Sequence, residues 1–298
     1  MKELTIFTPT FNRAHTLPRL YSSLLRQTSD NFEWLIIDDG STDGTKELAM
    51  KWIEDGIIPI EYVHKQNEGL YSGYNEAYSR IGTELNMCID SDDTVPPDAV
   101  ERILKIWKEK GSDRFAGIIG LDYDMKSGSP IGGAFPTGME ECYFLDLSVR
   151  NIHKGDTKQV MRTDLMKEVA PQKGFPGEKN FNPVFMLLKV CDTRPLIVAN
   201  ECFCNVEYQD LDSMSRMIYR QYLDSPRSFA SLHRLEMTLN RSTLKNRFRC
   251  ATHYVAECMI ARDGGWLENS PRKAMTLAAT LPGFLLYLHI KRKNKGKA

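Results

Sequence analysis

Two groups of carboxylates stand where apolar runs of the chain stop. Asp38 and Asp39 follow residues 32–37, and Asp90, Ser91, Asp92 and Asp93 follow residues 85–89. Carboxylates gathered in one crevice repel each other unless a cation or hydrogen-bond donors neutralise them. An Asp-x-Asp pair can present two oxygens to one hard divalent ion, which also takes ligands from substrate phosphates. Spacing alone equally suits a solvated loop whose aspartates cap helices. The seven cysteines include no Cys-x-x-Cys pair, and neither they nor the six histidines show a zinc-ligand spacing. Both residue types are therefore assigned to packing, with Cys202 and Cys204 expected on one face of a strand.

For the two acidic groups to share a crevice, the runs that precede them must lie in one sheet. Residues 4–7, 32–37, 59–63, 85–89 and 116–121 read as short buried strands, and helical patterns separate them. Thr16 is a plausible N-cap with Pro18 in the first turn, and Leu17, Leu20, Tyr21, Leu24 and Leu25 form one apolar stripe. Asp98 precedes a helix whose Val100, Ile103, Leu104 and Trp107 recur at helical spacing. This alternation predicts a layered, mostly parallel α/β sheet, where ligands bind outside the carboxyl ends of the strands. Beyond Asp122 the rhythm loosens. Residues 128–138 read as a Gly/Pro-rich loop, 158–161 as a strand, and Leu165 as the start of a short helix. A Gly/Pro turn at 172–177 leads into a helix expected near Glu178; 196–208 reads as extended and 212–233 as mostly helical.

Composition narrows the function classes. Lys plus Arg and Asp plus Glu both number 39, so no net basic field favours nucleic acid. Hydrophobic content of 42% excludes global disorder. The N-terminus runs straight into a strand-like segment without an export-type apolar stretch, which leads to an expectation of a cytosolic protein.

The segments Thr8-Pro9-Thr10-Phe11-Asn12-Arg13, Ile36-Ile37-Asp38-Asp39-Gly40-Ser41-Thr42-Asp43-Gly44-Thr45 and Ile89-Asp90-Ser91-Asp92-Asp93 together resemble family 2 of the inverting glycosyltransferases. Order, spacing and strand-end placement all agree, closely over residues 3–125. The resemblance implies a GT-A fold: a mixed, mostly parallel sheet flanked by helices, with a Rossmann-like nucleotide-binding half, an acceptor half and a helical C-terminal extension. It implies a nucleotide-sugar donor, a UDP-sugar first, with Mg²⁺ or Mn²⁺. By position, Pro9, Thr10, Asn12, Arg13, Asp38 and Asp39 would hold the nucleoside, Asp39 at the base. Asn67, Gly69 and Asn75 match a further donor-side segment, although no Lys or Arg follows Asn67 before Arg80. Tyr71 or backbone N–H groups would then face the phosphates. Asp90 and Asp92 would bind ribose and metal, Asp92 the first choice for direct coordination, and Ser91 would be a further nucleotide-binding residue.

An inverting transfer needs a base for the acceptor hydroxyl. The resemblance places it after a Gly turn in the second half, at Glu178 in Phe175-Pro176-Gly177-Glu178-Lys179. Lys179 departs from the family's frequent second acid, and the competing role for Glu178 is to complement a helix N-terminus. Asp122, Asp124, Glu140, Glu141, Asp156 and Asp164 are the other acids of that half. Arg162 is a candidate for orienting acceptor or diphosphate, and residues 209–215 for a lid. The expected organisation is a nucleotide-sugar-binding half at 1–122, an acceptor and base half at 123–235, and a helical extension at 236–298.

Residues 274–290 are almost wholly apolar and are followed by a Lys/Arg-rich end. Seventeen residues broken by Pro282-Gly283 fall short of the roughly 20 that span a bilayer. An apolar segment with a basic flank suits the membrane interface. The alternative is a helix docked on the catalytic domain with a solvated basic end; the resemblance implies a lipid-linked saccharide as acceptor, such as one on a polyprenyl-diphosphate carrier for capsule, exopolysaccharide or O-antigen, and so favours the inner face of the plasma membrane. Three rivals remain: a nucleotidyltransferase making a nucleotide-sugar, opposed by the absence of glycine in residues 8–13; a catalytically degenerate membrane-associated partner; and, weakest, a dinucleotide-dependent oxidoreductase, opposed because no Gly-x-Gly-x-x-Gly follows the first strand.

Overall fold

The computed structural model describes residues 2–207 and 218–294. The lid expected at 209–215 and the last basic residues, Lys295 and Lys297, lie outside the described residues. The first half runs β1 (Leu4–Thr10), α1 (Leu17–Leu24), β2 (Phe32–Asp38), α2 (Thr45–Asp55), β3 (Ile60–His64), α3 (Leu70–Arg80), β4 (Leu85–Cys88), α4 (Ala99–Lys110) and β5 (Gly117–Asp124). There follow β6 (Ser129–Pro130), β7 (Glu141–Cys142), α5 (Phe144–Val149), β8 (Thr157–Arg162), α6 (Thr163–Val169), α7 (Val184–Cys191) and β9 (Leu196–Val206). Helices α8 (Ile218–Asp224), α9 (Pro226–Glu236), α10 (Leu244–Ala261), α11 (Lys273–Ala278) and α12 (Thr280–Asn294) complete the described chain.

The strands form one sheet in the order β3-β2-β1-β4-β8-β5-β9-β7, with β6 on β5. Strands β3, β2, β1 and β4 are mutually parallel, as the alternating pattern predicts. β8 then enters antiparallel between β4 and β5. Its reversed direction carries the first residues of β8 to the carboxyl ends of both neighbours, where Lys158 pairs with Gly120. Successive residues of β1 point to opposite faces. Ile6 joins a core with Leu20, Trp34, Trp52 and Val100, under α1, α2 and α4. Phe7 joins the other, with Ile37, Tyr78, Leu165 and Met186, under α3, α6 and α7. On the first face Tyr21, Trp52 and Trp34 stack, with centroids 4.4 Å and 5.7 Å apart along the series.

Two features differ from the sequence expectation. No helix begins near Glu178; α7 starts at Val184, where Asn182 Oδ1 accepts the Val184 N–H at 2.9 Å. Pro183 explains the delay, because it drives the residue before it towards extended backbone. The apolar run at 274–290 is two helices meeting at Ala279, and Gly283 lets α12 cross α10 closely: a Cβ there would sit 2.6 Å from Val255. β5 passes through residue 122, so the expected 1–122 and 123–235 halves lie in one mixed sheet, and α9 packs with the C-terminal helices around Met237, Cys250 and Tyr254.

Candidate active site

The parallel strands deliver both acidic groups to one edge of the sheet. Thr10 pairs with Asp38, Asp38 with His64, and β4 lies on the far side of β1. Asp38 is buried: its Oδ1 accepts the Ser41 N–H at 2.8 Å, and its Oδ2 faces Tyr62 Oη and His64 Nδ1. Burial opposes its charge, yet hydrogen bonds from Ser41 and Tyr62 hold its carboxyl below the usual range. It is a brace of the β2 end. Asp39 is the more outward of the two. Its Oδ1 accepts the Glu68 N–H at 3.0 Å and Lys65 Nζ at 2.9 Å, and its Oδ2 accepts the Gly69 N–H at 2.8 Å.

The β1 loop is stitched to this turn. Asn12, at φ 53, donates its N–H to Ser41 Oγ at 2.8 Å, and its Oδ1 accepts the Thr42 N–H at 2.8 Å. Asparagine tolerates the left-handed region better than most residues. Thr10 is buried with its Oγ1 unpaired among the described residues, and Pro9 lies against Gly73 at the start of α3. Arg13 is exposed, and its carbonyl accepts the Thr16 and Leu17 N–H groups that open α1. Gly69, at φ +96, approaches the Lys179 backbone so closely that a Cβ would lie 2.0 Å from its carbonyl oxygen. Lys179 Nζ also reaches Asn67 Oδ1 at 2.7 Å. The donor-side loop is therefore clasped to the segment carrying Glu178. Asn75 belongs to the same clasp, since its amide exchanges two hydrogen bonds with the Gln172 backbone. Tyr71 packs over Gly174.

The second acidic group surrounds one ammonium. Asp90 is exposed, Asp92 half-buried, and Ser91 and Asp93 are buried. Arg19 holds the Asp92 carbonyl and pairs with Glu207 at 2.6 Å, which fixes the loop. Lys158 Nζ lies 3.9 Å from Asp93 Oδ2. Burial opposes the charge of Lys158, but Asp122, Asp93 and Asp90 keep it protonated well above its ordinary range. One ammonium does not neutralise this cluster. Burial, with Asp90, Asp92 and Asp122 nearby, pushes the Asp93 carboxyl up to about 7. Burial, with Asp156 and Asp90 nearby, pushes Asp122 up to about 6, and its Oδ1 is buried without a hydrogen-bond partner among the described residues. A donor set of carboxylate oxygens short of positive charge fits a hard divalent ion. Lys158→Met should cost about 3–5 kcal/mol, because it leaves buried carboxylates without their cation; urea unfolding monitored by circular dichroism measures it.

A cavity of about 440 Å³ opens beside this cluster, lined by Tyr74, Asp90, Phe144, Asp156, Lys158 and Asn182. A larger cavity, about 860 Å³, is lined by Glu84, Trp107, Asp113, Arg162 and Asp164. It sits at the amino-terminal ends of β4 and β5, the wrong edge for a ligand of a parallel sheet. Arg162 is thereby separated from the acidic crevice and pairs with Asp113 and Asp164. Glu178 is buried at the N-terminus of α9. Its Oε1 accepts the Arg227 N–H at 3.0 Å, and its Oε2 accepts the Ser228 N–H at 2.8 Å and Ser228 Oγ at 2.7 Å. The helix-complementing role is real, though for a helix nearly fifty residues away rather than its own.

Sequence reasoning missed Lys65 and Lys158. Lys65 was within reach, since it follows β3 directly and so must emerge at the same edge as Asp38. Lys158 was not, because nothing in residues 157–162 announces an antiparallel strand between β4 and β5.

Residues 5–151 match the profile of the family described as Glycosyl transferase family 2. This segment is a family 2 glycosyltransferase domain. Poly(ribitol-phosphate) beta-N-acetylglucosaminyltransferase TarP of Staphylococcus aureus is 31% identical over 124 residues, covering 41% of this chain and 38% of TarP. Chondroitin synthase of Pasteurella multocida is 38% identical over 103 residues, covering 34% of this chain and 10% of the synthase. An uncharacterized glycosyltransferase of Rickettsia conorii is 36% identical over 107 residues, 36% of this chain and 17% of the relative. The matched segments thus span well under half of these relatives. Among solved structures, S. aureus TarS 1-349 in complex with UDP-GlcNAc superposes with a TM-score of 0.61 at 17% identity, over 93% of this chain and 79% of that one. The mannosyltransferase PcManGT of Pyrobaculum calidifontis, in complex with GDP-Man and Mn²⁺, gives 0.55 at 14% identity, over 96% and 87%. The family 2 domain therefore has the GT-A fold expected from the sequence, and the likeness of fold runs on into the helical C-terminal region.

Proposed function

We propose that the protein transfers a sugar, with inversion, from a nucleotide-sugar to a saccharide acceptor presented at a membrane surface. The observation that carries this reading is the convergence of Asp39 and the Asp90–Asp92 pair on one sheet edge within a family 2 domain. A UDP-sugar is the first donor to test, and the TarS complexes with UDP-GlcNAc and UDP support that order. Among the described residues Asp39 Oδ2 accepts a single hydrogen bond, which leaves a lone pair for the imide N–H of a uracil. On this reading Pro9, Thr10, Asn12 and Arg13, in the loop stitched to the Asp38–Asp39 turn, would hold the nucleoside with Asp39, Asn67 and Gly69 would border it, and Ser91 would contact the nucleotide from the Asp90–Asp92 side.

Asp90 and Asp92 would hold Mg²⁺ or Mn²⁺, which when bound supplies charge neutralisation to the departing diphosphate. Asp93, Asp122 and Lys158 set the local field and keep the loop in place. Glu178 is the proposed base: among the described residues Oε1 accepts only one bond, so a lone pair remains to take the acceptor's proton. A second reading has a specific observation behind it. Asp156 lines the cavity beside Asp90, where an acceptor hydroxyl would enter. Titration of the purified protein with UDP and GDP by calorimetry, in Mn²⁺ and in chelator, tests the donor site. Metal-dependent binding of one nucleotide is expected; no binding to either would overturn the reading and favour a degenerate partner.

The acceptor's setting is argued from α11 and α12. Leu277 on α11 and Leu281, Phe284, Leu285 and Leu288 on α12 are exposed, and Lys291, Arg292 and Lys293 end α12. Among the described residues no helix is long and apolar enough to cross a membrane. A stripe of this kind suits the interface of an anionic bilayer, with a lipid-linked saccharide such as a polyprenyl diphosphate as acceptor, in capsule, exopolysaccharide or O-antigen synthesis. Leu281→Asp with Leu285→Asp should lower partition onto phosphatidylglycerol vesicles about tenfold or more, read by sedimentation. Unchanged partition would remove the membrane from the proposal.

A further inference from the structure

Away from the sheet, α9 and α10 bring three metal-ligating side chains together. His253 and Glu257 stand one turn apart on α10 and face His233 on α9. His233 Nδ1 lies 2.9 Å from Glu257 Oε2, and His253 Nδ1 lies 3.8 Å from Glu257 Oε1. The two imidazoles stack at 4.7 Å. One ligand atom from each residue can be chosen so that all three lie within 4.8 Å of one another. Glu257 is fully buried and His233 nearly so, whereas the His253 side chain keeps 21% of its surface, which gives an ion a way in.

The protein alone leaves this cluster unsatisfied. Glu257 Oε1 and His253 Nδ1 are buried without a hydrogen-bond partner among the described residues. The neighbouring Arg249 is turned to Glu236, at 3.1 Å. Orphaned buried polar atoms in a native fold call for an explanation, and an absent ion is a common one.

We propose that His233, His253 and Glu257 form a second metal site, for a zinc-class divalent ion, with water as the fourth ligand. Neutral imidazole nitrogens and one carboxylate are a donor set that zinc accepts. Ligand atoms around a tetrahedral zinc lie about 3.3–3.5 Å apart; His233 Nδ1 and His253 Nδ1 lie 2.9 Å and 3.8 Å from the two different oxygens of Glu257, and one ligand atom from each residue falls within 4.8 Å of the others, so small side-chain rotations close the site. The ion satisfies both orphaned atoms at once and gives the buried carboxylate its counter-charge. It also ties α9 to α10. Because the N-terminus of α9 holds Glu178, the site fixes the frame of the acceptor side from behind. It is independent of the Asp90–Asp92 pair, which offers only oxygen and suits harder ions.

The test loads the purified chain with zinc, removes excess by desalting in millimolar Mg²⁺, and counts zinc by mass spectrometry. About one zinc per chain is expected in the wild type and in Asp92→Asn, and close to none in His253→Gln. Zinc should raise the wild-type Tm by about 5 °C over chelator and leave His253→Gln unmoved. Cobalt(II) in the wild type should show the strong visible absorption of a four-coordinate site, a readout that no variant's folding can confound. Sub-stoichiometric zinc in the wild type, a six-coordinate cobalt spectrum, or equal zinc in a folded His253→Gln would each overturn the site, leaving a proton-sharing cluster.

Discussion

Asp92→Asn is expected to abolish Mn²⁺-dependent nucleotide binding and to lower sugar transfer by about 10²-fold or more. The substitution keeps volume and removes one negative charge from a loop that Arg19 anchors through the Asp92 backbone, so the fold should persist. It acts on a cluster where, among the described residues, Asp90, Asp92, Asp93 and Asp122 outnumber Lys158. Removing a charge there relieves repulsion, so the variant should be at least as stable as the wild type. Loss of binding with retained or raised Tm is therefore the signature of a ligand-holding acid. Calorimetry with Mn²⁺ and a thermal melt give both numbers, and full nucleotide affinity in the variant would remove Asp92 from the metal.

The second large effect separates Glu178 from Asp156. If Glu178 takes the acceptor proton, Glu178→Gln should leave UDP affinity intact and cut turnover by about 10²-fold or more. It should also cost about 1–3 kcal/mol of stability, because an amide –NH₂ would meet the Arg227 or Ser228 donor it replaces an acceptor for. Asp156→Asn should then lower turnover by less than about tenfold. The opposite pattern, a destabilised Glu178→Gln with near-normal turnover and an inactive Asp156→Asn, would move the base to the cavity wall. Single-turnover assays at saturating donor, beside urea unfolding, distinguish the two.

Much of the site was legible because a parallel α/β sheet obeys a local rule. An apolar run that ends in polar residues must place them at the carboxyl edge, so Asp38, Asp39 and Asp90 through Asp93 could be assigned to one crevice from strand periodicity alone. The strands at 32–37 and 85–89 recur as β2 and β4 within a residue or so. The same periodicity also forecast β1, β3, β5 and the faces of α1 and α4, since each buries one stripe against its neighbour. The division of labour between Asp38 and Asp39 was less visible. Only the pairing of β2 with β3 shows that Tyr62 and His64 occupy Asp38, leaving Asp39 beside Lys65.

What the sequence by itself determined is a family 2 domain with its acids at one sheet edge, and an apolar, basic-ended C-terminal stretch. Tertiary structure alone decided the rest, because the deciding partners are remote in the chain. Lys158 meets the acids of β4 and β5 only because β8 inserts antiparallel between them. Glu178 meets α9 across some fifty residues. His233 meets His253 and Glu257 only through the packing of α9 on α10, which no ligand spacing along the chain records. Local periodicity fixes which face a residue takes; it carries no information on which distant face comes to lie against it.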